Sequence, residues 1–315
     1  MKVVGLFRHF FVNRPRLQMS LKNQIFFSPT LIQLVIIRKC NLNCAYCNEY
    51  DKVSNPVSLD AIKQRIDKAE ELGTLSIEFT GGEPLLHPNL SEIVSYATGK
   101  GFPARMLISN AYLFNEEHIK RLNDAGLTHL QVSVDGVTPN RMTVKVLDRL
   151  RHKLELLAKL AKFRVQLSAV IGAASAEEVL EVVDFAKAHG FRPRALILHG
   201  EHGQINLSRE QRSTYDEVKR KIGHRFRESH NYREKLIRDE PAPFKCRAGA
   251  RYIYVDDLGQ ARYCSQHREI WSKTFLDLTS DDLKNNFYTK KPCNAFCTVG
   301  CARTNSAFDE WRIQH

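Results

Sequence analysis

No apolar run in this 315-residue chain is long enough to cross a bilayer. The longest, residues 31–37, contains Gln33 and falls far short of the roughly 20 residues that a spanning helix needs. An export signal is also missing, because Arg8, Asn13, Arg14 and Arg16 interrupt the apolar patches of the N-terminus. The expected location is therefore cytoplasmic, with any membrane contact peripheral. Acidic residues are absent from the start of the chain: none precedes Glu49, whereas Lys2, Arg8, Arg14, Arg16, Lys22, Arg38 and Lys39 do. There are no low-complexity tracts, no repeats beyond strand–helix units, and no recognisable nucleic-acid-binding module.

What is present is a globular composition, 43% hydrophobic and 26% charged, with chain enough for one large domain or two smaller ones. The net charge of +12 is unevenly spread, and residues 219–238 hold eight Lys/Arg against two Glu. Solvated helix faces account for such a stretch. Attraction to an acidic redox protein, an anionic lipid surface or a phosphorylated substrate accounts for it equally. The basic N-terminal stretch also carries Phe7, Phe10, Phe11, Phe26 and Phe27. These residues suit interfacial contact with a lipid or isoprenoid, and equally suit packing beneath a larger fold.

From about residue 30, hydrophobic patterning alternates strand and helix. The apolar run 31–37 reads as a buried parallel strand. Ser58 can cap a helix over 59–72 that Gly73 ends, and Asn115 can cap another over 115–125. Strands are expected at 75–80, 104–109, 129–134, 165–171 and 194–198, with further helices at 89–100, 142–161, 176–189 and 208–227. Leucines at 147, 150, 154, 157 and 160 give the 142–161 segment its helical stripe. Six strand–helix repeats predict an α/β fold with a parallel sheet, a partial (β/α)6 barrel whose chemistry lies at the C-terminal ends of its strands. After Glu240 the alternation stops. Segments 252–255 and 260–264 flank Asp257-Leu-Gly259 and read as a β-hairpin. The expected division is a basic extension (1–29), the barrel (30–239) and a small Cys-rich accessory domain (240–315).

Eight cysteines form an even number, but in a long chain without an export signal their clustering argues for metal rather than disulfides. Cys40-Asn-Leu-Asn-Cys44-Ala-Tyr-Cys47 stands directly after the first strand. This spacing lets one loop reach three corners of an iron–sulfur cube and leaves the fourth iron without a local protein ligand. No other Cys or His lies within ten residues of the loop, whereas a structural zinc site, the competing use of these thiols, wants four ligands.

The C-x3-C-x2-C spacing, with Tyr46 before the last cysteine, resembles the signature of the radical S-adenosylmethionine (SAM) superfamily. The resemblance implies that SAM chelates the open iron of a [4Fe-4S] cluster. It also implies that an electron cleaves SAM to methionine and a 5′-deoxyadenosyl radical, which takes hydrogen from a substrate. Thr80-Gly81-Gly82-Glu83-Pro84 ends the second strand and is similar to the family's segment that binds the methionine amino group. Ser109-Asn110 resembles its Thr-Asn-Gly, with Ala111 in place of the glycine. Ser133-Val-Asp135 resembles its Ser-x-Asp, which contacts the ribose and carboxylate; simple turn chemistry is the other reading of this pair. The family's Arg-Gly is missing here, with Arg141 the nearby candidate, and Val170-Ile171-Gly172 fits an apolar adenine contact. His199 and His202 follow the sixth strand, facing the same mouth as either substrate or structural residues.

The second cysteine set is Cys246 and Cys264 around the hairpin, followed by Cys293, Cys297 and Cys301. It resembles the twitch form of the SPASM accessory domain, implying one auxiliary [4Fe-4S] cluster with Cys246, Cys264, Cys297 and Cys301 favoured and Cys293 less so. A four-Cys zinc site uses the same thiols and stays open. The expected function is a radical SAM enzyme, an oxidoreductase or a catalyst of C–C or C–S bond formation, with an acidic electron donor of flavodoxin or ferredoxin type. A small-molecule or lipid substrate is favoured, because some thirty residues before the barrel are too few for a winged-helix peptide-recognition domain. Alternatives are a maturase of a ribosomal peptide and a non-catalytic iron–sulfur or metal-binding protein.

Overall fold

The computed structural model describes residues 27–199, 205, 207–222 and 232–307. The basic residues at 8, 14 and 16, four of the five N-terminal phenylalanines and His202 lie outside the described residues. Phe27 is described, and it packs edge-on against Phe287 with ring centroids 4.8 Å apart.

Strands β1 (Leu31–Ile37), β2 (Ser76–Gly81), β3 (Ala104–Ser109), β4 (His129–Ser133), β5 (Arg164–Ile171) and β6 (Arg192–Ile197) alternate with helices. These are α1 (Leu59–Glu71), α2 (Leu90–Gly99), α3 (Glu116–Asp124), α4 (Leu147–Leu160), α5 (Ala176–Ala188) and α6 (Arg209–Ile222). Each strand pairs in parallel with the next, in the order of a partial barrel. Capping explains several helix starts. Ser58, Asn115 and Ser175 accept from the backbone N–H three residues on, satisfying donors that a helix end leaves orphaned. The first three apolar faces close on one another: Ile32, Leu34 and Ile36 of β1 join Ile62 and Ile66 of α1 and Phe79 of β2 in a fully buried layer between sheet and helices. The opposite face of β1 (Leu31, Gln33, Val35) looks into the barrel.

Helix α4 begins at Leu147, five residues later than its sequence pattern predicts. The leucine stripe itself starts there. Thr143, Val144 and Val146, all β-branched and poor helix formers, are held extended instead by a bridge between Gly136 and Val146 and by the bond from Asp135 N–H to Lys145 O at 2.7 Å. The 142–146 segment is thereby delivered to the site.

The C-terminal residues continue the same sheet. After α7 (Tyr232–Ile237), β7 (Tyr252–Val255) pairs in parallel with the free edge of β1, and β8 (Gln260–Arg262) and β9 (Ser272–Thr274) extend it antiparallel. The sheet has nine strands in all among the described residues. The buried Arg65 of α1 clamps the hairpin turn, donating to the carbonyls of Asp256 at 3.2 Å and Asp257 at 2.8 Å. Helices α8 (Ser280–Tyr288), with a Thr279–Asp282 capping box, and α9 (Gly300–Ser306) close the structure. The hairpin was legible from its turn, but β9, α8 and α9 were not. No described helix is long and apolar enough to cross a membrane.

Candidate active site

Six strands end on one rim, and every sequence motif sits there: Cys40 after β1, Glu83 after β2, Asn110 after β3, Asp135 after β4, Gly172 after β5 and His199 after β6. The cysteine loop is pinned at both ends. Cys40 N–H donates to Asp51 O, Asp51 N–H to Arg38 O, and Ala45 N–H to Met142 O, each at 3.0–3.1 Å. Within it, Cys47 N–H donates to Cys44 O. Cys44 is buried, with its Sγ 4.0 Å from Thr143 Oγ1, while Cys40 and Cys47 are half-buried. Burial pushes the Cys40 and Cys47 thiols up, and the Lys145 ammonium draws Cys47 back down.

Gly81 and Gly82 make the close approach between this loop and β2. A Cβ on Gly81, whose φ is 152°, would stand 1.9 Å from Ile37 O, and one on Gly82 would stand 2.2 Å from Arg38 O. Since both obstacles are backbone, Gly82→Ala is expected to cost about 3 kcal/mol in urea unfolding, the range of severe local strain. A loss below about 0.5 kcal/mol would refute the close-approach account.

Glu83 is fully buried and accepts three hydrogen bonds: Leu85 N–H at 3.0 Å, Ser109 Oγ–H at 2.8 Å and Asn110 N–H at 2.8 Å. Burial raises its pKa and these donors oppose the rise. An ionised carboxylate has about four acceptor sites, so room for one more donor is left. Pro84 opens a buried 3-10 turn directly behind it. Asn110 reaches back to the cysteine loop, its Nδ2 donating to Asn41 Oδ1 at 2.8 Å and lying 3.8 Å from Cys40 Sγ. Ala111, where the family pattern has glycine, adopts φ 64°, so the left-handed backbone is kept without the glycine.

Asp135 is a second hub with no solvent exposure. Its Oδ2 accepts from Tyr46 OH and Thr143 OH, both at 2.6 Å, and faces Lys145 Nζ at 3.5 Å. Its Oδ1 is buried without a hydrogen-bond partner. Lys145 also lies over the Tyr46 ring, 4.8 Å from its centroid. Burial and the neighbouring Asp135 carboxylate push the Tyr46 phenol far above its usual range, keeping it a donor. Sequence reasoning placed the cation here at Arg141; that residue is exposed, and Lys145 is the cation beside Asp135. Thr143 and Lys145 were missed because neither belongs to a motif or a periodic stripe. Ser133, the other half of Ser-x-Asp, is half-buried at the end of β4.

A cavity of about 300 Å³ opens beside this rim. Tyr46 and Cys47 line one wall, Val170, Leu196 and His199 another, and residues 298–301 a third. The apolar contact is corrected by strand alternation. Val170 lines the cavity, whereas Ile171 is fully buried in the layer between sheet and helices. Glu49 links the cysteine loop to the C-terminal residues, pairing with Arg268 and accepting from Tyr254 OH at 2.7 Å.

The five C-terminal cysteines come together. Cys246 lies within the electrostatic reach of Cys264, Cys293 and Cys297, and Cys264 within that of Cys301. Burial raises the Cys264 thiol to about 11 and those of Cys297 and Cys301 to about 12. Cations surround them: Lys291, Arg303 and Arg247 all lower the Cys246 thiol against its burial. Cys301 also faces Glu78, which burial pushes up to about 7.

Both thiol sets fit iron–sulfur chemistry. Among the described residues no three His, Cys, Asp or Glu side chains converge on one metal-ion point, while a cube takes its thiolates at separate corners. For SAM, the spare acceptor site on Glu83 suits the ammonium, Lys145 the carboxylate, the unpartnered Asp135 Oδ1 the ribose hydroxyls and Val170 the adenine.

Comparison with known proteins agrees with this reading of the rim. The profile of the radical SAM superfamily matches residues 34–216. A PqqA peptide cyclase of Bradyrhizobium diazoefficiens is 35% identical over 117 residues, 36% of this chain and 30% of the cyclase. An AdoMet-dependent heme synthase of Methanosarcina barkeri is 30% identical over 171 residues, 52% of this chain and 48% of the synthase. The chain therefore spans less than half the length of these curated relatives. SuiB of Streptococcus suis, solved with S-adenosylmethionine, superposes with a TM-score of 0.66 at 16% identity, covering 89% of this chain and 72% of SuiB. Solved with the precursor peptide SuiA it gives 0.63 at 14%, covering 92% and 75%. At such identity the likeness to SuiB is one of fold.

Proposed function

This chain belongs to the radical SAM superfamily, and from that premise we propose that it modifies a peptide, drawing one side chain into the cavity between its two cysteine sets. Family membership implies a [4Fe-4S] cluster and SAM, which together supply a carbon-centred radical able to take an unactivated hydrogen atom. Cys40, Cys44 and Cys47 would hold that cluster. Glu83, Lys145, Asp135 and Val170 would orient SAM, with Gly81, Gly82, Pro84, Ser109, Asn110, Ser133 and Tyr46 shaping their positions.

The single observation carrying the reading is the cavity that joins the cysteine loop to residues 298–301. At about 300 Å³ it lies at the small end of ligand pockets, which suits one side chain fed in from outside. The peptide reading is supported further by what the relatives are named for: a peptide cyclase, and SuiB solved with a precursor peptide. These considerations displace the small-molecule or lipid expectation. A carboxylate-bearing small molecule is the second reading, favoured by the likeness to a heme synthase.

Four of Cys246, Cys264, Cys293, Cys297 and Cys301 would hold an auxiliary cluster in a twitch-like arrangement, and Lys291, Arg303 and Arg247 would offset its thiolate charge. An acidic reductant remains the expected electron donor for a chain of net charge +12.

The test is anaerobic reconstitution followed by SAM, dithionite and mass spectrometry. 5′-Deoxyadenosine is the expected product. Its absence with an intact cluster would end the enzymatic reading. Lys145→Met is expected to weaken SAM binding about tenfold, since a hydrogen bond to a charged group is worth about 1.5–3 kcal/mol. Unchanged affinity in equilibrium dialysis would remove Lys145 from the SAM site.

A further inference from the structure

The wall of the catalytic cavity facing away from the cysteine loop holds two guanidinium groups that, among the described residues, make no salt bridge. Arg233, on α7, is 5% exposed. Among the described residues it has neither a salt bridge nor a hydrogen bond; the face of the neighbouring Tyr232 ring lies 5.1 Å away, and Arg194, Tyr215 and Cys301 are further electrostatic neighbours. Among the described residues Arg194, on β6, donates to the neutral Gln131 Oε1, at 2.9 Å, and faces the Glu78 carboxylate without a salt bridge. Both line the cavity. So do Tyr232 and Thr298, whose buried hydroxyls have no partner.

Burying a charge with nothing to balance it is costly, and a native fold tolerates it where a ligand supplies the counter-ion. The donors are also focused. Arg194 Nη2, Arg233 Nη2 and Tyr232 OH stand 3.1, 3.3 and 3.6 Å from the point a Cβ of residue 300 would occupy. Because residue 300 is glycine, no side chain of its own crowds these donors.

We propose that Arg194 and Arg233 form a carboxylate-binding subsite in the catalytic cavity, so that the substrate is one bearing an acidic group. The inference deepens the functional reading and rests on it, because it takes this cavity as the place where substrate meets the radical. Guanidinium forks match a carboxylate in shape. The charge balance points the same way. Of the two carboxylates lining the cavity, Glu49 is paired with Arg268 and Glu78 accepts from Gln33 at 2.7 Å. Arg194 faces Glu78, and Arg233 is left as the buried guanidinium that an acidic ligand would match. Cys301 lies in the same wall, so the rival use of these arginines is to offset its thiolate.

Isothermal titration of the anaerobically reconstituted holoenzyme with SAM bound separates these uses. The probes are N-acetyl-glutamate amide, its neutral glutamine counterpart, N-acetylglycine and inorganic phosphate. The glutamate probe is expected to bind about tenfold tighter than the glutamine probe, a free energy difference of about 1.4 kcal/mol. In Arg233→Met and in Gly300→Ala, which puts a methyl group against Arg194 Nη2, Arg233 Nη2 and Tyr232 OH, that preference is expected to fall below about twofold, with iron and sulfide unchanged. N-Acetylglycine as the tighter binder also supports the subsite and places the acid at a chain terminus; the glutamate probe as the tighter binder places it on a side chain.

Equal binding of the glutamate and glutamine probes by the wild type, with N-acetylglycine no tighter than either, overturns the proposal, as does tighter binding of phosphate than of either carboxylate. A preference that survives in Gly300→Ala overturns it too, and that variant decides the matter should Arg233→Met not fold. Loss of iron and sulfide from Arg233→Met assigns the arginine to the thiolate instead. 5′-Deoxyadenosine measured on the same preparation keeps the two readings apart. If it forms while the probes bind equally, only the subsite falls; if none forms, the functional reading beneath it has failed.

Discussion

Replacing Cys44 by alanine is expected to abolish 5′-deoxyadenosine formation and to lower anaerobically measured iron by about four atoms per chain, the content of one cube. The reason is geometric. Cys44 sits at the centre of a loop tied to Arg38, Asp51 and Met142, so its neighbours cannot swing a substitute into its place. Cys40 and Cys47 alone leave two irons without protein ligands. Because the metal's binding energy is also the energy that orders its loop, the cluster is expected to be lost rather than weakened. The auxiliary cluster proposed for the C-terminal cysteines provides the internal control: iron held there should survive in Cys44→Ala. Wild-type levels of 5′-deoxyadenosine from the variant would sink the assignment of this loop.

Asp135→Ala is expected to be the most damaging change outside the cysteines. The carboxylate is wholly buried and gathers Tyr46, Thr143 and Lys145. Truncation strands all three, Lys145 as a poorly solvated cation 13% exposed. Breaking one partner out of a buried ionic network costs about 3–5 kcal/mol, read as a lower midpoint in urea unfolding. SAM binding should be lost as well, because the same hub sets the Tyr46 ring and the Lys145 ammonium beside Cys47. Asp135→Asn keeps the shape and one acceptor oxygen, so its stability loss should be smaller while SAM affinity still falls. An alanine variant as stable as wild type would show that the hub is not structural. Full SAM affinity in that variant would remove Asp135 from the site.

Much of the rim could be read before any coordinates. Strand β1, β2 and β3 lay where apolar runs end in turn residues, and each run is followed by a residue whose chemistry is out of place in a simple turn: Cys40, Glu83, Asn110. A parallel barrel gathers its strand ends, so residues spaced by about thirty positions are brought together by topology alone. What was misread has local causes. Val170-Ile171-Gly172 was offered as one apolar contact because a buried strand is apolar on both faces, and only the folded cavity shows that Val170 lines it while Ile171 packs between sheet and helices. Arg141 was offered because it lies nearest the missing Arg-Gly in sequence, and Lys145 went unseen because the extended 142–146 segment, held by the Gly136–Val146 bridge, is what brings it to Asp135.

The sequence by itself determined the alternation of strands and helices, the rim on which the chemistry stands and the two sets of thiols, because periodicity, capping residues and ligand spacing are local properties. Only the tertiary structure decided that β7 docks on the edge of β1, that Lys145 stands beside Asp135, and that Arg194 and Arg233 face one cavity. Those facts depend on which surfaces meet when distant segments pack, and the energy that selects them, burial of apolar area against the cost of buried charge, belongs to the folded whole and to no single stretch of chain.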